Sequence, residues 1–174
     1  FPQARFLPAE DILDIRGKSG DARDGAPVRI AVPVLRRIAN FDDLDPLAGE
    51  TDVDVTLVEA GDVIPADADL ILLPGSKSTI SDLKFLRDQG WDIDIAAHLR
   101  RGGMVMGLCG GYQMLGTKLD DPDGVEGPAG DTLGLGHLRV ETVLAGDKRL
   151  TQVTAHANAF DVPVRGYEIH MGRT

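Results

Sequence analysis

Four short apolar runs, separated by longer helical patterns, constrain this chain more than any other feature. Val28-Arg29-Ile30-Ala31-Val32-Pro33-Val34 is β-branched, and so is Val53 to Val58. Ala68-Asp69-Leu70-Ile71-Leu72-Leu73 ends on Pro74-Gly75, and Met104-Val105-Met106-Gly107-Leu108 ends on Cys109-Gly110-Gly111. Runs of this length bounded by turn residues read as buried strands. Between the third and fourth, Ile80, Leu83, Phe85 and Leu86, then Ile93, Ile95, Ala96 and Leu99, recur at helical spacing and predict two amphipathic helices. Such alternation predicts a three-layer α/β domain with a mostly parallel central sheet. From Thr132 the texture changes. Leu138 to Leu144, Gln152 to Ala159 and Gly166 to His170 read as antiparallel additions, and the Asp-, Gly- and Pro-rich stretch from Asp120 to Asp131 reads as an exposed loop.

Composition bounds the possible partners. With 174 residues, the chain is long enough for one well-packed domain. Its net charge of −10 would repel a phosphate backbone, so nucleic acid is not an expected partner. No apolar run approaches the roughly 18–20 residues that span a bilayer, so no membrane is expected either. Phe1 to Gly17 carries no signal-peptide pattern, and a lone cysteine excludes an internal disulfide. A cytoplasmic location is the simplest expectation. Both ends read as cut, so a longer parent polypeptide is expected. Residues 1–27, with the polar stretch Gly17-Lys18-Ser19-Gly20-Asp21, read as a linker, although Ile12, Leu13 and Ile15 fit a short helical stripe equally well. The domain proper is placed at 28–174.

The chemistry concentrates at Gly107-Leu108-Cys109-Gly110-Gly111, between a predicted strand and the helical start Tyr112-Gln113-Met114-Leu115-Gly116. Gly-x-nucleophile-x-Gly at a strand-to-helix turn is a nucleophile elbow. The turn is so tight that side chains two residues before and after the nucleophile would collide with it. The helix start favours negative charge there, and the Gly110 N–H is placed to receive an oxyanion. A buried structural cysteine beside ordinary turn glycines is the plainer alternative.

A second loop, Pro74-Gly75-Ser76-Lys77-Ser78-Thr79, also joins a strand to a helix and is expected to share a crevice with the elbow. Its N–H groups are candidates for a second oxyanion donor, with Ser78 or Thr79 capping the helix. Lys77-Ser78 lacks the glycines of a phosphate loop, so nucleotide binding is rejected. A thiol nucleophile wants a base. Among the histidines, His98 reads as exposed beside Arg100 and Arg101, while His137 and His156 fall in strand-like stretches without an obvious partner. None has zinc-site spacing, and no metal is expected. His170, two residues from Glu168 on one strand face, is the most suggestive.

With these motifs and Gly166-Tyr167-Glu168-Ile169-His170-Met171-Gly172-Arg173, the chain from about Val28 to Thr174 resembles the CobB/CobQ-type branch of the class I (triad) glutamine amidotransferases. Within that branch it is similar to the amidotransferase domains of the cobyric acid synthase family. The resemblance implies a class I amidotransferase-like (flavodoxin-like) fold in which Cys109 attacks the side-chain amide of glutamine and forms a thioester. It also implies that Gly75 or Ser76, with Gly110, supplies N–H groups to the oxyanion, and that Gln113 helps hold glutamine. Ammonia would pass to an ATP-dependent synthetase domain of the same polypeptide, preceding this one. That domain would amidate a corrinoid, adenosyl-cobyrinate a,c-diamide, toward cobalamin. ATP and Mg belong to it, and no cofactor is expected here. The family's histidine sits in a downstream Tyr-Leu-His-Gly type motif that has no counterpart before Thr174; His170 lies in a different motif of the family, and Glu168-Ile169-His170 only superficially resembles the His-x-Glu of other class I enzymes. A DJ-1-like or other cysteine hydrolase, and a non-catalytic domain regulating a synthetase partner, are the alternative expectations.

Overall fold

The computed structural model describes residues 27–174, without the side chains at 147–149 and 169–171. Apart from Pro27, the expected linker at 1–27 lies outside the described residues. In chain order, β1 (Val28–Pro33) and β2 (Ile38–Ala39) are followed by a 3-10 turn at Phe41–Leu44 that runs into the short helix α1 (Asp45–Gly49). Then come β3 (Val53–Val58), β4 (Leu70–Leu73), β5 (Gly75–Ser76), α2 (Thr79–Asp88) and α3 (Trp91–Arg100). β6 (Met104–Gly107), α4 (Gly110–Leu115), β7 (Lys118–Asp121), β8 (Gly130–Leu133), β9 (Glu141–Ala157) and β10 (Val162–Arg173) complete the set.

The four apolar runs form one parallel sheet in the order β3-β1-β4-β6. The chain steps from β1 to β3 on one side, then returns to place β4 on the other. The carboxyl ends of β1 and β4 are therefore a topological switch point, where open α/β sheets bind ligands. β2 follows β1 and β5 follows β4, and the two pair antiparallel across that point, Ile38 opposite Ser76 and Ala39 opposite Gly75. One expectation needs correction. β6 is not a buried strand but the sheet's edge, with Met104 and Met106 exposed.

Ile30, Ala31 and Val32 of β1 and Ile71, Leu72 and Leu73 of β4 are buried, against Leu83 and Leu86 of α2, Trp91 and Ile95 of α3, and Met114 and Leu115 of α4. Each large side chain so buried contributes about 1.5–3 kcal/mol. Gly90, at φ 78, lets the chain turn between α2 and α3 without a Cβ penalty. Phe85 and Trp91 then meet edge to face at 5.7 Å. The Trp91 indole N–H donates to the Asp62 carbonyl at 2.9 Å, which satisfies its one buried donor.

His98 contradicts the exposure expected of it. It is 2% exposed, with Nε2 3.0 Å from the Met104 carbonyl oxygen. Its ring fills the space a side chain at Gly103 would need, since a Cβ there would lie 2.2 Å away. Positions 91, 95 and 98 share one stripe of α3, so His98 turns inward despite its basic neighbours.

A second sheet runs β10-β9-β7-β8, with β9 and β10 forming a long antiparallel ribbon and β7 parallel to β9. The strand expected at Leu138 begins only at Glu141. The preceding residues are irregular because their N–H groups bond back to the end of α4: Leu135 to the Met114 carbonyl at 2.8 Å, and His137 and Leu138 to that of Leu115 at 2.9 Å. The stretch from Asp120 to Asp131 is not wholly an exposed loop. Its ends are strand, and Asp121 is fully buried, its carboxylate accepting the N–H groups of Val125 at 2.7 Å and Glu126 at 2.9 Å.

Replacing Trp91 with alanine should cost about 3–5 kcal/mol, as large-to-small changes at fully buried aromatics do. Urea unfolding measures it; an unchanged midpoint would show that the α2–α3 layer carries little of the stability.

Candidate active site

Cys109 follows β6 and caps α4, its carbonyl accepting the Gln113 N–H at 3.1 Å. Its backbone has φ 47 and ψ −109, a conformation that side-chain-bearing residues rarely adopt and that costs energy to hold. The neighbours show why it is tolerated. A Cβ at Gly107 would lie 2.5 Å from the Gly111 carbonyl carbon and the Tyr112 nitrogen, and one at Gly111 would lie 2.3 Å from the Leu73 oxygen. Both glycines are steric necessities of the turn. The result is an exposed cysteine at the sheet's carboxyl edge.

The second loop joins it there, as expected. The Leu108 N–H donates to the Leu73 carbonyl at 2.9 Å, tying the ends of β4 and β6 together. A Cβ at Gly75 would stand 3.7 Å from that of Cys109, and one at Gly110 would stand 3.0 Å from the Ser76 nitrogen. Gly75, Ser76, Cys109 and Gly110 thus form one cluster. The turns after β4 and β6 therefore meet at Cys109.

A residue that sequence reasoning missed holds this cluster. Asp82, 1% exposed in the first turn of α2, accepts the Ser76 hydroxyl at 2.7 Å and the Arg37 N–H at 3.2 Å, both on Oδ2. Ser76 Oγ in turn accepts the Ser78 N–H at 3.0 Å, and the Lys77 N–H donates to the Arg37 carbonyl at 2.7 Å. Burial pushes the Asp82 carboxyl above the usual aspartate range, opposed by hydrogen bonds from Ser76 and from the Arg37 and Arg36 backbone and by the Arg37 charge. Its Oδ1 is buried with no hydrogen-bond partner.

Gln113 is buried on α4, with Oε1 3.5 Å from the Thr79 hydroxyl. The expected helix cap is corrected. Ser78 occupies the cap position but makes no side-chain cap bond, its hydroxyl pairing with that of Ser81 at 2.9 Å. The Ile80 N–H goes instead to the Glu126 carboxylate at 2.8 Å, brought from the loop that Asp121 closes. A distant loop carboxylate in this role leaves no local sequence signal.

The histidines are dispersed. His98 is buried under α3, His137 lies in the segment after β8, and His156 sits near the ribbon's end, 3.4 Å from Asp161. His170 lies on β10 opposite Arg149, and its side chain is outside those described. Among the described residues no cluster of His, Cys, Asp or Glu could hold a metal, and no helix is long and apolar enough to cross a membrane.

The structure is thus a parallel α/β sheet with an exposed cysteine on a strained strand-to-helix elbow at its carboxyl edge. Residues 29–174 match the CobB/CobQ-like glutamine amidotransferase domain, and the chain belongs to that family. It is 61% identical over all 174 residues to a cobyric acid synthase of Ruegeria sp. (strain TM1040). It is 62% identical to that of Rhodobacter capsulatus and 58% to that of Paracoccus denitrificans. It spans 35% of the length of each. Among solved structures it is similar in fold to PurLQS from Thermotoga maritima, with a TM-score of 0.57 and 19% identity over 84% of this chain and 68% of that one. A solved glutamine amidotransferase gives a TM-score of 0.56 and 14% identity, over 82% of this chain and 70% of that one.

Because burial raises the Asp82 carboxyl above its unfolded value, its ionised form is penalised in the fold at neutral pH, and the penalty fades as the group protonates. The stability of Asp82→Asn relative to the parent should therefore be highest near neutrality. It should fall as pH drops toward about 4, the ordinary aspartate range. Denaturant unfolding across pH measures this; a pH-independent difference would contradict the raised value.

Proposed function

We propose that this chain is the glutamine-hydrolysing part of a cobyric acid synthase, releasing ammonia for amidation of corrinoid carboxylates elsewhere in the same polypeptide. One observation carries the reading: Cys109 sits on a strained elbow with Gly110 against the Ser76 nitrogen, in a chain of the CobB/CobQ-like amidotransferase family. Cys109 Sγ attacks the side-chain amide carbon of glutamine, and the carbonyl oxygen becomes an oxyanion. N–H groups of Gly110 and of Gly75 or Ser76 receive that charge. The C–N bond then breaks, the proton given up by the thiol completes ammonia, and a glutamyl thioester remains on Cys109. Water hydrolyses the thioester to glutamate and the free thiol. Gln113, at the root of α4, helps hold glutamine. ATP and Mg act in the synthetase part, with this domain contributing no cofactor.

Ammonia release from glutamine by the full-length polypeptide should fall at least about a thousandfold in Cys109→Ala, as nucleophile removal does. An electrophilic glutamine analogue should label Cys109, with glutamine blocking it. Labelling that glutamine does not block would favour a general cysteine hydrolase.

The described histidines bond to Met104, Leu115 and Asp161, and His170 is not proposed as the base. His170→Ala should leave Cys109-dependent ammonia release within about threefold; a loss of about 10²–10⁴-fold would make it the general base.

A further inference from the structure

Beneath the cluster at Cys109 lies a buried carboxylate to which the family likeness assigns no role. We propose that Asp82 is the positioning residue of the oxyanion strand, holding the Gly75–Lys77 segment in register against Cys109 and thereby setting the rate of the chemical step rather than the affinity for glutamine. The inference rests on the glutaminase reading above.

β5 is two residues long and, among the described residues, pairs only with the two residues of β2. A two-stranded piece of that size has no stability of its own. Its orientation must come from elsewhere, and a closed ring of hydrogen bonds supplies it. The Lys77 N–H donates to the Arg37 carbonyl, the Arg37 N–H to Asp82 Oδ2, and the Ser76 hydroxyl to the same oxygen. The Ser78 N–H closes onto Ser76 Oγ. Reorienting the backbone between Ser76 and Ser78 would strain or break members of that ring. The backbone nitrogen of Ser76, whose side chain belongs to the ring, lies against Gly110, 3.0 Å from where its Cβ would be.

Packing alone does not account for an aspartate here. A carboxylate 1% exposed, with one oxygen buried and unpartnered, is costly beside an apolar side chain of similar size. Its place in the first turn of α2 offsets part of the cost through the helix dipole. What an apolar residue could not do is accept two hydrogen bonds at Oδ2. An ionised acceptor binds both more strongly than a neutral one.

The test uses the full-length polypeptide, comparing Asp82→Ala and Asp82→Asn with the parent and a Cys109→Ala control. Three readouts separate positioning from mere structure: amide hydrogen exchange across residues 75–78, kcat and KM for glutamine, and the iodoacetamide alkylation rate of Cys109, which needs no oxyanion site. Asp82→Ala should speed exchange at these amides about tenfold or more and lower kcat about 10- to 100-fold, with KM and alkylation within about threefold. Asp82→Asn, which keeps an acceptor, should recover most of both losses. Unchanged exchange in Asp82→Ala would overturn the proposal. So would a parallel fall of kcat, alkylation and thermal stability that Asp82→Asn fails to restore. Should Asp82→Ala not fold, Ser76→Ala breaks the same bond from its other end and must reproduce the exchange and kcat losses. Should the parent show no Cys109-dependent ammonia release, the glutaminase reading falls, while the exchange comparison still decides whether Asp82 holds the strand.

Discussion

The candidate site depends on how closely the turn after β6 approaches the turn after β4. The Leu108 N–H bonds the Leu73 carbonyl at 2.9 Å, and Gly111 lies so near that a Cβ would come within 2.3 Å of the same oxygen. Only a missing side chain permits this. Once it is permitted, the rest follows: Cys109 is forced to positive φ, its side chain clears the sheet, and Gly110 comes against Ser76. The strain at Cys109 is therefore held in large part by adjacent packing. Parallel pairing of β4 with β6 supplies the fixed frame, since Leu73 and Gly107 are register partners.

The elbow was legible because its chemistry and sterics are both local: glycines two residues before and after a cysteine, just past an apolar run. The parallel sheet was legible for a similar reason, each strand being one uninterrupted apolar segment. That signal reports hydrophobicity but not position in a sheet, so β6 read as buried although it is the edge. β2 and β5 were invisible because two residues carry no periodicity. Asp82 carries no local signal of its own, and only the tertiary fold shows that its position faces Ser76 and Arg37. His98 misled through its neighbours Arg100 and Arg101, when its spacing from Trp91 and Ile95 was the better guide. Glu126 lies 46 residues from the N–H it accepts, beyond any local pattern.

The helix starts divide in a way that bears on the chemistry. α1, α2 and α3 each carry acid in the first turn: Asp45, Asp82, and Asp92 with Asp94. α2 receives a second carboxylate from Glu126. α4 carries none, and it is the helix that begins at Cys109. In a chain of net charge −10, an acid-free helix start is where negative charge developing in a reaction meets least opposition. Carboxylates at the start of α2 have another use, since Asp82 and Glu126 act through hydrogen bonds that fix backbone. Separating the two roles lets acidic groups fix the backbone of β5 and α2 without standing at the start of α4.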